Sequence, residues 1–162
     1  MKRCSMLLAC CALFGVSATA YAQSCAAPII VPTNPNFSGD TCTASNELGT
    51  LCIFAQSPSN DVIYTFTLQA GGIQTESAFL TNNTPAWNAA LVLLQGACNG
   101  NSLCPRNADA SGPGGNESMD LTGLVAATYF LIVTSTTSDT GCGAYSLAIS
   151  TTPVELQSFE VI

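Results

Sequence analysis

The segment Asp61-Val62-Ile63-Tyr64-Thr65-Phe66-Thr67-Leu68 alternates so that Val62, Tyr64, Phe66 and Leu68 share one side and Thr65 and Thr67 take the other. Successive side chains of a strand point to opposite faces of its sheet, so this period of two marks a half-buried antiparallel strand. Gly71-Gly72 ends it. Working outward, Glu76 to Thr81 reads as a second strand and Ala89 to Gln95 as a third with a continuous apolar centre. Tyr129 to Thr134 has the β-branched and aromatic content of a buried strand, and Ala144 to Thr151 alternates again through Tyr145, Leu147 and Ile149. Ile29-Ile30-Val31, bounded by Pro28 and Pro32, fits an edge strand. Turn signals separate these runs at Asn99-Gly100, Ser111 to Gly115 and Ser138 to Gly143. Short strands, frequent turns and little helical periodicity predict an all-β sandwich or barrel.

The flanking segments set the expected organisation. Lys2 and Arg3, the apolar run Met6 to Val16 and Ala20-Tyr21-Ala22 make the pattern of a signal peptide over residues 1–22. The apolar run breaks at Gly15 and Ser17, short of the roughly 20 residues a spanning helix needs. Leu7-Leu8-Ala9-Cys10 loosely resembles a lipobox but leaves too short an apolar stretch before it. Residues 23–152 then read as a single β-sandwich domain, irregular over 23–59 and regular over 60–150, followed by a tail at 153–162. That tail could add an edge strand and mediate self-association.

Six cysteines follow the signal segment: Cys25, Cys42, Cys52, Cys98, Cys104 and Cys142. An even set in an exported chain reads as a disulfide framework. Proximity in sequence favours Cys42–Cys52 and Cys98–Cys104, which leaves Cys25–Cys142. A bridge closing so long a loop stabilises by about 4 to 5 kcal/mol through loop-closure entropy.

Charge and composition exclude several chemistries. Loss of Lys2 and Arg3 takes the net charge from −7 to −9, with Arg106 as the one remaining basic side chain against ten carboxylates. Nucleic acid and anionic membrane surfaces are held by Lys and Arg, so neither is an expected partner. With no histidine and no lysine beyond Lys2, Ser-His-Asp, Cys-His and Ser-Lys catalysis are unavailable. Only carboxylate chemistry survives. Asp139-Thr140-Gly141 spells the aspartic-protease triplet once, among turn residues, and no two acids are singled out as a glycosidase pair. The expectation is a protein that is not an enzyme, a carboxylate hydrolase ranking behind both binding and assembly roles.

Four segments in order carry a family resemblance. Asp61-Val-Ile-Tyr-Thr-Phe, Trp87-Asn88-Ala-Ala-Leu91, Thr128-Tyr129-Phe130-Leu131-Ile132-Val133 and Gly143-Ala144-Tyr145-Ser-Leu147 resemble the strands of the bacterial pre-peptidase C-terminal domain. The resemblance spans roughly residues 60–150. It implies a jelly-roll-like antiparallel β-sandwich, here disulfide-stapled, exported to the extracellular space or periplasm of a bacterium. It further implies non-catalytic binding of an extracellular protein or polysaccharide polymer, or of a cell-envelope component. Asn88 stands where the family often has aspartate.

Individual residues follow from these readings. Trp87, with Asn88 beside it, is a candidate sugar-stacking platform, set against a packing role before a core strand. Tyr64, Tyr129 and Tyr145 fall on inward strand positions. Asp109, Glu117 and Asp120 flank the glycine-rich loop and are the candidate calcium ligands, since calcium takes six to eight oxygens. Asn36, Asn82 and Asn116 begin glycosylation sequons.

Overall fold

The computed structural model describes residues 23–32, 35–51, 59–68, 76–135 and 141–150. The expected signal peptide, Asp139-Thr140, and the tail at 153–162 lie outside the described residues. Among those described, nine strands form two sheets, with no helix long and apolar enough to cross a membrane. The strands are β1 (Ile29–Ile30), β2 (Asn36–Asp40), β3 (Val62–Thr67), β4 (Ser77–Asn82), β5 (Ala89–Gln95), β6 (Leu103–Ala108), β7 (Glu117–Asp120), β8 (Thr128–Ser135) and β9 (Ala144–Ser150). One sheet has the order β1-β3-β8-β5-β6 and the other β2-β9-β4-β7. Among the described residues every strand pairing is antiparallel except β1 with β3.

The inner faces meet as the alternation of each strand dictates. Val62, Tyr64 and Phe66 of β3, Leu91 and Leu93 of β5 and Tyr129, Leu131 and Val133 of β8 face Ala78 and Leu80 of β4 and Tyr145, Leu147 and Ile149 of β9. Burying a side chain of this size contributes about 1.5–3 kcal/mol, so the sandwich interior is the main source of stability.

A second apolar layer covers the other face of the five-stranded sheet. Ile63, Ala90, Val92, Leu94 and Ile132 point there, under Leu48 and Leu51, with Cys25, Cys98, Cys104 and Phe130 packed beside them. Double coverage is why β5 is apolar throughout, as a strand buried on both faces must be. The irregular segment that precedes β3 therefore roofs one sheet. The opposite outer face, on β2-β9-β4-β7, carries Ser38, Ser77, Ser118 and Ser146 around a half-exposed Phe79.

The disulfides correct the sequence-based pairing. Cys25 is bonded to Cys98 and Cys42 to Cys142, so none of Cys42–Cys52, Cys98–Cys104 and Cys25–Cys142 forms. Cys104 is also disulfide-bonded, and Cys52 lies outside the described residues. Register explains the second bridge. Asp40 of β2 faces Ala144 of β9, so two further steps along the antiparallel pair bring Cys42 to Cys142, with Cα atoms 4.9 Å apart. The first bridge ties the segment before β1 to the loop after β5. Bonded cysteines of this kind belong to a non-reducing environment.

Candidate binding cleft

Asp61 organises the roof over the five-stranded sheet. It is fully buried at the start of β3, and its carboxylate accepts the backbone N–H groups of Glu47 (3.1 Å) and Leu48 (2.9 Å). Its own N–H donates to the carbonyl of Ser45 at 3.1 Å. Burial raises its pKa, opposed by the amide of Leu48, the Thr134 hydroxyl and the amide of Glu47, with the Glu47 charge adding to the rise. The loop that follows the 3-10 turn at Thr41–Thr43 is thus clamped to β3.

A cleft of about 620 Å³ opens where this loop meets the loop after β5. Glu47, Leu48, Gly49 and Thr50 form one wall, Asn99, Gly100 and Asn101 the other, and the Cys25–Cys98 bridge closes one end. Three features fix its shape. The Glu47 carboxylate accepts the Cys25 N–H. The Asn99 side chain accepts the N–H of Asn101 at 3.0 Å, and the Asn99 carbonyl accepts that of Ser102 at 3.1 Å, an Asx turn. Gly100 lies so close to the Thr50 carbonyl that any Cβ there would overlap it. The cleft therefore presents a carboxylate, amides and a hydroxyl, with the half-buried disulfide as its apolar part.

The residues singled out from sequence lie elsewhere. Trp87 is 1% exposed and packs against Tyr145 with ring centroids 6.2 Å apart, so it presents no face to a sugar. The stacking-platform expectation is corrected: the ring fills the interior. Asn88, half-buried at the start of β5, accepts the Ser135 hydroxyl on its carbonyl at 2.8 Å, and neither residue lines the cleft.

The three candidate calcium ligands do not converge. Glu117 is 1% exposed, and its carboxylate accepts the N–H groups of Ala110 (3.1 Å) and Ser111 (2.8 Å). Asp120 points to the opposite face of β7 and accepts the N–H of Thr122 at 2.8 Å. That hydroxyl and amide of Thr122 hold its pKa below the usual range, with Arg106 nearby. Asp109 is exposed, its pKa raised by partial burial and by the Glu117 charge. Alternation along β7 is the physical reason: residues 117 and 120 of one strand cannot share a face. Among the described residues no three His, Cys, Asp or Glu side chains are gathered as a metal site.

The carboxylates instead act as loop anchors. Asp40 accepts the N–H of Cys42 at 2.8 Å, so Asp40, Glu47, Asp61, Glu117 and Asp120 each hold backbone amides. Sequence reasoning missed Glu47, Thr50, Asn99 and Asn101 as a set. The one available signal was Asn99-Gly100 next to Cys98, read only as a turn. Comparison with protein-family models and with curated proteins finds no match to this chain.

Proposed function

We propose that this chain is a secreted, non-catalytic β-sandwich module of the pre-peptidase C-terminal type, exported by a bacterium, that binds an extracellular polymer. The cleft beside the Cys25–Cys98 bridge is its binding site. One observation carries the reading: each wall of the cleft is held in place, residues 47 and 48 by the Asp61 carboxylate and residues 99–101 by the adjoining Cys25–Cys98 bridge. Preorganised polar groups lower the ordering cost of binding. The use of five carboxylates as amide acceptors supports a binding role over acid–base chemistry, which needs carboxyls free to face each other. The winding supports the jelly-roll form, because each connection from β2 to β9 changes sheet except that from β5 to β6.

The test is retention of purified, oxidised protein on collagen, chitin, cellulose and peptidoglycan. Retention on at least one, weakened by Asn101→Ala, supports the reading. Retention on none overturns it. Assembly by strand addition is the second reading, favoured by the position of β2 at the edge of its sheet among the described residues. It requires oligomers that grow with protein concentration.

A further inference from the structure

The cleft carries an unneutralised charge. Among the described residues that line it, Glu47 is the only charged one; its side chain is exposed, and one carboxylate oxygen accepts the Cys25 N–H. Asp61 lies behind it, bonded to the Glu47 N–H. Two carboxylates therefore stand together without a basic partner. Arg106, the only basic side chain among the described residues, is committed to the carbonyl oxygens of Pro105 (2.8 Å) and Thr122 (3.3 Å) on another part of the molecule. With ten acids in the whole chain, the surrounding field draws cations toward such a recess.

A ligand that fills this cleft gains most from the Glu47 carboxylate by bringing a cationic group to it. Its remaining partners are set by the other walls: Thr50 offers a hydroxyl, Asn99 and Asn101 offer amides, and the half-buried Cys25–Cys98 bridge offers an apolar edge. A sugar ring presents hydroxyls at several positions together with an apolar face, which a lysine or arginine side chain does not. Resting on the binding reading above, we infer that the cleft selects an amine-bearing polysaccharide, with Glu47 as the specificity-determining residue that receives the ammonium group. A charge-assisted hydrogen bond of this kind separates an amino sugar from its N-acetylated form by about tenfold or more in affinity.

The test compares binding of a glucosamine hexamer, an N-acetylglucosamine hexamer and polylysine by the whole oxidised protein, at a pH where the amines are charged. Glu47→Gln is the variant, since its amide oxygen still accepts the Cys25 N–H and keeps the loop in place; melting and disulfide mapping check that it folds. Asn101→Ala, with the charge kept, is the second variant. The expected result is preference for the glucosamine hexamer by about tenfold, erased in Glu47→Gln, while Asn101→Ala weakens both oligosaccharides alike. Equal binding of the two hexamers, unchanged by Glu47→Gln, overturns the amine selectivity and leaves the cleft as a binding site. Glu47-dependent capture of polylysine without the glucosamine hexamer overturns the saccharide assignment in favour of a basic protein. Binding of none of the probes here, nor of any polymer above, overturns the inference and the binding reading together.

Discussion

The hydroxyl of Tyr64 on β3 meets that of Tyr145 on β9 at 2.8 Å, joining the two sheets through the middle of the apolar interior. Each ring is 1% exposed, so water cannot replace either partner. The Phe37 ring packs on Tyr64 with centroids 4.8 Å apart, and the Tyr145 hydroxyl fills the space a Cβ on Gly39 would take. Tyr145→Phe should destabilise by about 1–3 kcal/mol, because it strands the Tyr64 hydroxyl. Adding Tyr64→Phe should recover part of that loss, with a coupling of about 1 kcal/mol in urea unfolding. Strict additivity of the two substitutions would contradict the pairing.

The same pair makes stability sensitive to alkali. Burial pushes the Tyr64 pKa up to about 12 from 10.0, partly offset by its bond to Tyr145. Burial, then the neighbouring Tyr64, pushes that of Tyr145 higher still. Both folded values exceed the unfolded value. Stability is therefore fully present below about pH 10 and is lost as pH rises toward and through the folded values, by about 1.4 kcal/mol per pH unit for each group. Urea midpoints measured from pH 8 to 12 should fall steeply above pH 10, and the Tyr64→Phe/Tyr145→Phe protein should show a shallower fall. Tyrosinate absorbance that appears before the folded baseline is lost, and that is missing from the Tyr64→Phe/Tyr145→Phe protein, would show that these two hydroxyls are not buried.

How far the fold was legible depended on where each strand sits. β3, β5, β8 and β9 announce themselves by alternation or by unbroken apolar runs, since both patterns follow directly from facing one or two layers. The three strands that sequence reading left out each break a pattern for a local reason. β2 (Asn36–Asp40) is polar apart from Phe37 and is an edge strand. β6 carries Pro105 and Arg106, which an edge tolerates. β7 places a carboxylate, Glu117, at an inward position next to Met119, and its reason for being there is the pair of amides at Ala110 and Ser111. Missing β2 concealed the β2–β9 register, and without that register the partner of Cys42 could not be read. The cleft was hidden for a related reason: its walls come from loops far apart in the chain, and the bridge at its end has a sequence separation of 73, which no local pattern encodes.

The two mapped bridges should differ in what they hold. Cys42–Cys142 extends an existing ladder, so its removal as a Ser pair should lower stability by about 2–5 kcal/mol while the cleft keeps its shape. Cys25–Cys98 ties down the roof over Ile63, Val92 and Ile132. Its removal should expose that layer, raising binding of an apolar dye and abolishing retention on polymer, while the far-ultraviolet signature of the sheets persists. Peptide mapping without reduction should recover fragments joined at 25–98 and 42–142. Recovery of 98–104 or 42–52 would refute the connectivity.

The acids around the glycine-rich loop give a last expectation, opposite to the one sequence suggests. With Glu117 turned inward onto two amides and Asp120 on the other face of β7, the three carboxylates cannot close around one ion. Added calcium should leave Tm unchanged, and a chelator should do the same. Glu117→Ala should nevertheless cost about 1–3 kcal/mol, because the N–H groups of Ala110 and Ser111 lose their acceptor, whereas Asp109→Ala at its exposed position should lie within about 0.5 kcal/mol of the parent. A calcium-dependent rise in Tm that disappears in Glu117→Ala would mean that Glu117 serves a metal in preference to the loop. A loss of stability in Glu117→Ala that is independent of calcium identifies the carboxylate as the anchor of residues 110–116.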